Sequence, residues 1–130
     1  MARTCLPIDG GIRAAITALI EDGDIILQLG SGKGDLRLLK KYTLFCIEDK
    51  IDRIGLSKKI NYVHAPLNTL PNSKVRWYDI SILEKYIPSS YDLLLVNGPG
   101  DYYGRSGMLE NLYLFKDDIP IIVANTIREH

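Results

Sequence analysis

The apolar positions along the chain change their spacing from helical to extended as the sequence proceeds. From Asp9 to Glu21, apolar residues recur every three or four positions, which predicts an amphipathic helix with Asp9 as its N-cap. The apolar face of this helix is expected to contain Ile12, Ala15, Ile16, Leu19 and Ile20. Short unbroken apolar runs follow, and runs of this kind are typical of strands that are buried on both faces of a sheet.

The complete pattern predicts strands that alternate with helices. Strands are expected at 25–29, 42–48, 60–66, 91–97 and 119–125, and further helices at 36–41, about 80–86 and 105–115. Such alternation favours a mainly parallel sheet of about five strands with helices on its faces. We therefore expect an α/β fold with a Rossmann-like layout, formed by residues 1–130 as a single domain.

A glycine-rich turn follows the first strand directly, with the sequence Gly30-Ser31-Gly32-Lys33-Gly34. In folds of this class, ligands bind beyond the carboxyl ends of the strands, and glycine lets a ligand approach the backbone closely. A dinucleotide site would have its third glycine at position 35, where this chain has Asp35. The pattern favours a cofactor that carries one carboxylate and no phosphate.

An acidic residue, Glu48, ends the second predicted strand, eighteen residues after Gly30. A carboxylate at this position can accept hydrogen bonds from both hydroxyls of a ribose, and it would repel a 2′-phosphate. The alternative interpretation is a tight glycine turn accompanied by a solvent-exposed Glu48.

Several short stretches together resemble class I S-adenosylmethionine-dependent methyltransferases, and most closely a bacterial group that acts on small molecules. They are LQLGSGKGD, CIED, YVHAPL, WYD and YDLLLVNGPGDYYGRSG, within a likeness that spans residues 25–129. The resemblance implies a three-layer sandwich with strand order 3-2-1-4-5, which is a shortened form of the methyltransferase fold. It implies S-adenosyl-L-methionine as the cofactor.

The resemblance also implies roles for individual residues. The methionine part of the cofactor would lie against Gly30, Ser31, Gly32 and Gly34. Glu48 would hold the ribose, Asp49 would lie near the adenine, and the segment around Ala65 would flank the adenine ring. Asn97, followed by Gly98 and Pro99, would form the floor of the site near the transferable methyl group.

Two positions depart from the pattern of that family. Aspartates are expected at 97 and as a pair at 124–125, whereas this chain has Asn97 and Ala124-Asn125. Divalent cations prefer charged oxygen ligands, so we predict that no metal takes part. Asn97 and Arg105 are the candidate catalytic residues. Arg105 would anchor a carboxylate or phosphate of the acceptor, or else it is a surface arginine paired with Asp101.

Other candidate residues are interpreted structurally. His64 is expected to be a buried histidine hydrogen-bonded to backbone rather than a general base, and Trp77-Tyr78-Asp79 is expected to pack in the core. The function that the family resemblance implies is metal-independent methylation of a small molecule, on oxygen. The alternative is a degenerate methyltransferase fold that binds ligands or proteins without turnover.

Composition and charge narrow the list of partners. Sixteen basic and sixteen acidic residues cancel, so the chain lacks the basic excess expected of a nucleic-acid-binding protein. Two distant cysteines and no bilayer-length apolar segment favour a cytoplasmic protein that neither enters membranes nor forms disulfides. The fifth strand would expose an apolar edge at 121–123, so we expect a second copy or another chain to cover it.

Overall fold

The computed structural model describes residues 10–30, 36–69, 76–97, 108 and 110–123. The helices are α1 (Gly10–Leu19), α2 (Leu36–Leu39) and α3 (Ile80–Tyr86). The strands are β1 (Ile25–Leu29), β2 (Thr43–Glu48), β3 (Ile60–His64), β4 (Leu67–Thr69), β5 (Arg76–Tyr78), β6 (Leu93–Val96) and β7 (Ile121–Val123). Short 3-10 turns occupy Ile51–Arg53 and Leu112–Leu114.

Five of these strands form one sheet in the order β3-β2-β1-β6-β7, and every neighbouring pair in it is parallel. Counted by the strands of this sheet alone, the order is 3-2-1-4-5, which agrees with the predicted order. Leu29 at the end of β1 lies opposite Ile47 on one side and Val96 on the other. The expectation of an α/β fold built on a mainly parallel sheet is confirmed.

Both faces of the sheet are buried at its central strands β1 and β6, which explains why nearly all of their residues are apolar. On one face, Ile16 of α1 and Ile20, which follows that helix, pack with Ile26, Leu44 and Leu93. On the opposite face, Leu83 of α3 joins a cluster that includes Leu27, Leu29 and Leu94. Complete burial of one such aliphatic side chain contributes about 1.5–3 kcal/mol, so these two clusters hold the three layers together.

Helix α1 contacts the sheet along a narrower stripe than we predicted. Ile16 and Ile20 are buried and Ile12 is half-buried, whereas Ala15 is exposed and Leu19 is 50% exposed. The buried stripe therefore follows an i, i+4, i+8 spacing, and the assignment of Ala15 and Leu19 to the buried face was wrong. The predicted N-cap, Asp9, lies outside the described residues.

A two-stranded antiparallel ribbon, β4 with β5, was not predicted. Its Trp77 is completely buried and makes edge-to-face contacts with Tyr78 and Phe115, at ring-centroid distances of 5.4 and 6.1 Å. Asp79 then caps α3 by accepting hydrogen bonds from the backbone N–H of Ile82 (3.3 Å) and from Ser81 Oγ (2.6 Å). The core packing of Trp77 and Tyr78 and the helix at 80–86 agree with the sequence-based expectations.

The last described elements are shorter than predicted. Within 105–115, helical backbone is described at Met108 and Glu110, and a 3-10 turn at Leu112–Leu114 replaces the end of the expected α-helix. β7 is the outer strand of the described sheet, and its Ile121 and Val123 are 42% and 55% exposed. That a second copy or another chain covers this edge stays a prediction. None of the described helices has the length and apolar character to cross a membrane.

Candidate functional site

The carboxyl ends of β1, β2 and β6 meet at one edge of the sheet. The backbone N–H of Gly30 donates to the carbonyl of Ile47 at 2.8 Å, and that of Asn97 donates to the carbonyl of Leu29 at 2.8 Å. The ladder therefore continues one residue beyond β1 and β6. This brings Gly30 and Asn97 to adjacent positions above the ends of the strands.

The turn after β1 depends on a glycine at position 30. Gly30 has a φ of 81°, in the left-handed region that L-residues rarely adopt. Its carbonyl accepts a hydrogen bond from Gln28 Nε2 at 2.7 Å and a weaker one from Cys46 Sγ at 3.4 Å. Both side chains are buried beneath the turn, so they fix the direction in which the chain leaves β1.

Gln28 and Cys46 were not recognised as site residues from the sequence. A polar residue inside an otherwise apolar strand was the available signal for Gln28. Burial, and secondarily the negative charge of Glu48, raises the pKa of Cys46 to about 12. The thiol is therefore a protonated hydrogen-bond donor that supports the turn rather than a nucleophile.

Glu48 is a buried carboxylate, with only 1% of its surface exposed. Its Oε2 accepts a hydrogen bond from the backbone N–H of Lys50 at 2.9 Å, and its own carbonyl accepts one from Ala65 at 2.9 Å. These contacts fix Glu48 at the end of β2, next to the strand that leads into the glycine turn. The alternative interpretation of a solvent-exposed Glu48 is wrong.

Asp49 places a second carboxyl group beside Glu48. Burial raises its pKa, and a hydrogen bond to Glu48 and the negative charge of Glu48 raise it further. Asp49 therefore keeps a proton more readily than an isolated aspartate. Its carbonyl oxygen lies 3.1 Å from Nε2 of His64, a half-buried residue paired with Glu48 across β2 and β3. This backbone contact agrees with the role predicted for His64.

Asn97 is a buried polar residue with unused hydrogen-bonding capacity. It is 5% exposed, and its Oδ1 has no hydrogen-bond partner among the described residues. An unsatisfied buried acceptor costs about 1–3 kcal/mol of stability. A donor group on a ligand at this edge would offset that cost.

The structure thus brings together five of the predicted site residues, namely Gly30, Glu48, Asp49, Ala65 and Asn97. Ala65 is completely buried in the cluster on the α3 face, so its methyl group belongs to the core. The remaining predicted residues, Ser31, Gly32, Gly34 and Arg105, lie outside the described residues.

No group of three or more His, Cys, Asp or Glu side chains that could hold a metal occurs within the described ranges. Positions 124–125, on which the expectation of a metal-independent site partly rested, are not among those residues. Metal independence stays a prediction.

Comparisons of the chain with protein-family models, with curated proteins and with solved structures found no match. The fold and the site define an α/β protein with a parallel five-stranded sheet and a buried polar cluster at its carboxyl edge. A more specific assignment depends on the chemistry of that cluster.

Proposed function

We propose that the chain binds S-adenosyl-L-methionine at the carboxyl edge of the sheet and methylates an oxygen of a small-molecule acceptor without a metal ion. The observation that carries this proposal is the buried Glu48 carboxylate, fixed at the end of β2 beside the turn at Gly30. A glycine turn after one strand and an acid at the end of the next is an arrangement that holds a ribose with free hydroxyls.

The ribose contact supports the choice of an adenosyl ligand. A carboxylate has about four acceptor positions; on Glu48 the N–H of Lys50 occupies one, and the Asp49 side chain is also hydrogen-bonded to Glu48. Vicinal ribose hydroxyls donate hydrogen bonds and match such an acceptor. Because Glu48 and Asp49 are adjacent carboxyl groups, a phosphate at this position would be repelled. These properties favour a ribose with free hydroxyls over one that carries a 2′-phosphate. The argument against NAD is Asp35, which stands where a dinucleotide site has its third glycine.

Asn97 supports the placement of the methionine part. Its buried Oδ1 lacks a partner among the described residues and can accept a hydrogen bond from an amino group. In the proposed reaction the sulfur–methyl bond breaks as the oxygen–methyl bond forms, and the acceptor's hydroxyl proton leaves to solvent. Alignment of the two reactants supplies most of the acceleration. Under the resemblance, Arg105 would anchor an anionic group of the acceptor.

A second candidate function is ligand binding without turnover. It is favoured by Asn97 itself, because a neutral amide cannot take a proton from the acceptor. Release of S-adenosylhomocysteine in the presence of S-adenosylmethionine and a panel of hydroxylated acceptors would separate the two functions. Tight cofactor binding without release across the panel would favour the second.

The experiment that tests the proposal is calorimetric titration of S-adenosylhomocysteine into wild-type protein and the Glu48→Gln variant. Hydrogen bonds to a charged group contribute about 1.5–3 kcal/mol, so we expect binding to weaken about tenfold or more. Glu84→Gln, at an exposed glutamate of α3, is the matched control and should bind normally. NAD should give no heat of binding.

Circular dichroism would establish that Glu48→Gln remains folded. Wild-type affinity in Glu48→Gln, or an absence of binding by folded wild-type protein, would contradict the proposed site.

A further inference from the structure

A cavity of about 330 Å³ lies between α1 and α2, away from the site described above. One of its lining residues is Tyr42, which immediately precedes β2, whereas Glu48 ends that strand. Six extended residues span about 20 Å, so the cavity lies at the opposite edge of the sheet from Glu48. Variants in the cavity therefore test a site that is distinct from the proposed adenosyl site.

Among the described residues, four cationic side chains and no acidic one line this cavity, and two of the four, Arg13 and Arg37, have further interactions of their own. The four are Arg13 of α1, Arg37 of α2 and the pair Lys40-Lys41 in the α2–β2 connection. Since the whole chain has a formal net charge of zero, this is a local excess of positive charge. The concave shape adds to its effect, because low-dielectric walls focus the field on a bound anion.

The Tyr42 hydroxyl provides the second, independent observation. Tyr42 is 6% exposed, and its ring packs in the cluster with Ile16 and Leu38. The hydroxyl is buried and has no hydrogen-bond partner among the described residues. Thr17, the other hydroxyl lining the cavity, already donates to the carbonyl of Arg13 at 3.0 Å. Tyr42 is therefore a lining residue of this cavity whose buried hydroxyl is a neutral donor without an acceptor among the described residues.

The neighbouring acidic turn, residues 21–24, does not line the cavity. The backbone N–H of Gly23 donates to the Lys41 carbonyl at 2.7 Å, and that of Thr43 donates to the Asp24 carbonyl at 2.9 Å. These bonds hold the turn at residues 21–24 against the start of β2. None of its carboxylates contributes to the lining of the cavity.

We propose that this cavity binds a small molecule through a phosphate or pyrophosphate group, with the Tyr42 hydroxyl and the surrounding cations as donors. Guanidinium groups match phosphate oxygens in geometry as well as charge. The volume is at the lower end of the range for small-molecule pockets, about 300–1,000 Å³, and is too small for a nucleic-acid duplex. Leu38 and Ala14 offer apolar contacts for the organic part of the ligand.

The test uses inorganic pyrophosphate as the probe, titrated into isotope-labelled protein at low ionic strength and followed by amide chemical shifts. We expect saturable shifts confined to residues 13–17 and 37–42. Tyr42→Phe removes one donor to a charged group and should weaken binding about tenfold. The double variant Lys40→Gln/Lys41→Gln should weaken it at least as much.

The matched control is Lys58→Gln/Lys59→Gln, which removes an equally exposed lysine pair outside the cavity and should leave binding unchanged. Citrate controls for charge alone and should bind at least about tenfold more weakly. Three results would overturn the proposal: equal losses in both lysine variants, wild-type affinity in Tyr42→Phe, or shifts centred on Gly30 and Glu48. Equal affinity for citrate would overturn the assignment to phosphate.

Discussion

The positive φ of Gly30 leads to a prediction that separates backbone strain from ligand binding. In Gly30→Ala, the new side chain has to adopt a φ of 81°, which costs an L-residue about 1–2 kcal/mol. Alanine also lowers the conformational entropy of the unfolded protein, which raises the free energy of unfolding by about 0.4–1 kcal/mol. We therefore expect a net loss of about 1 kcal/mol in the free energy of unfolding.

Gly23→Ala is the matched control, because Gly23 has a φ of 91° and a Cβ there would meet no atom within 4 Å. It should lose a similar amount of stability by strain alone. Urea unfolding measured by the fluorescence of Trp77, the single tryptophan and completely buried, would give both values. The two variants should differ in calorimetry: Gly30→Ala should bind S-adenosylhomocysteine at least about tenfold more weakly, and Gly23→Ala normally.

Two results would refute this reasoning. If Gly30→Ala were as stable as the wild type, the turn would not depend on a left-handed backbone at this position. If Gly30→Ala were destabilised like Gly23→Ala and still bound the ligand normally, the turn would have no part in binding. The second result would remove the glycine turn from the proposed site.

Two further predictions concern single side chains. With the pKa of Cys46 raised to about 12, its thiolate fraction at pH 8 is on the order of 10⁻⁴. A thiol reagent should therefore label a Cys5→Ser protein only after unfolding in urea, and rapid labelling of the folded protein would contradict the burial of Cys46. Hydrogen bonds from Ser81 and Ile82 hold the pKa of Asp79 in the folded protein below 3.8. The stability that the Asp79 carboxylate contributes is therefore fully present above pH 3.8, and it is lost as the pH falls through the lower pKa of the folded state. Asp79→Ala should lower the urea midpoint at pH 7, with a difference that shrinks below pH 3.8; a pH-independent difference would show that the carboxylate charge is not responsible.

The central sheet could be predicted because its information is local. Strands β1 and β6 are buried on both faces, so nearly every residue in them is apolar and the run itself is the signal. Helix α3 was predicted at its observed bounds, and the structure shows why it begins there. Asp79, which was expected in the core, instead lies half-buried directly before the helix and caps it. Alternation with helices predicts parallel strands, because parallel strands need crossover connections. The strand order was implied only by the family resemblance.

The antiparallel ribbon could not be predicted, because each of its strands has only three residues. A segment of three residues is too short to show an alternation of apolar and polar positions. The pairing of β4 with β5 is therefore visible only in the structure. The buried face of α1 was overestimated for a related reason. Period alone does not tell how wide a stripe the sheet will cover, and here it covers only the line through Ile12, Ile16 and Ile20.

The position of Glu48 as the acid after β2 was visible in the sequence, but its burial was not. Burial depends on β3, which places His64 opposite Glu48 and brings the N–H of Ala65 to the Glu48 carbonyl. The role of Gln28 was missed because a single polar residue in a strand gives no indication of its acceptor. That acceptor, the Gly30 carbonyl, is presented only when the backbone turns through a positive φ.

The two edges of the sheet differ in charge, and this difference argues for two different ligands. At the carboxyl edge, Glu48 and Asp49 place adjacent carboxyl groups where a nucleoside would lie, so a phosphate is disfavoured there. At the amino ends of the strands, the described lining of the cavity that includes Tyr42 contains cations and no acid, which favours a phosphate over a neutral nucleoside. Strand β2 runs from one site to the other and holds them about 20 Å apart, a distance at which exposed charges are largely screened in physiological salt. If both proposals hold, a phosphate-free adenosyl ligand and a phosphate-bearing molecule would occupy the same chain at once, each at the end of the strands whose charge suits it.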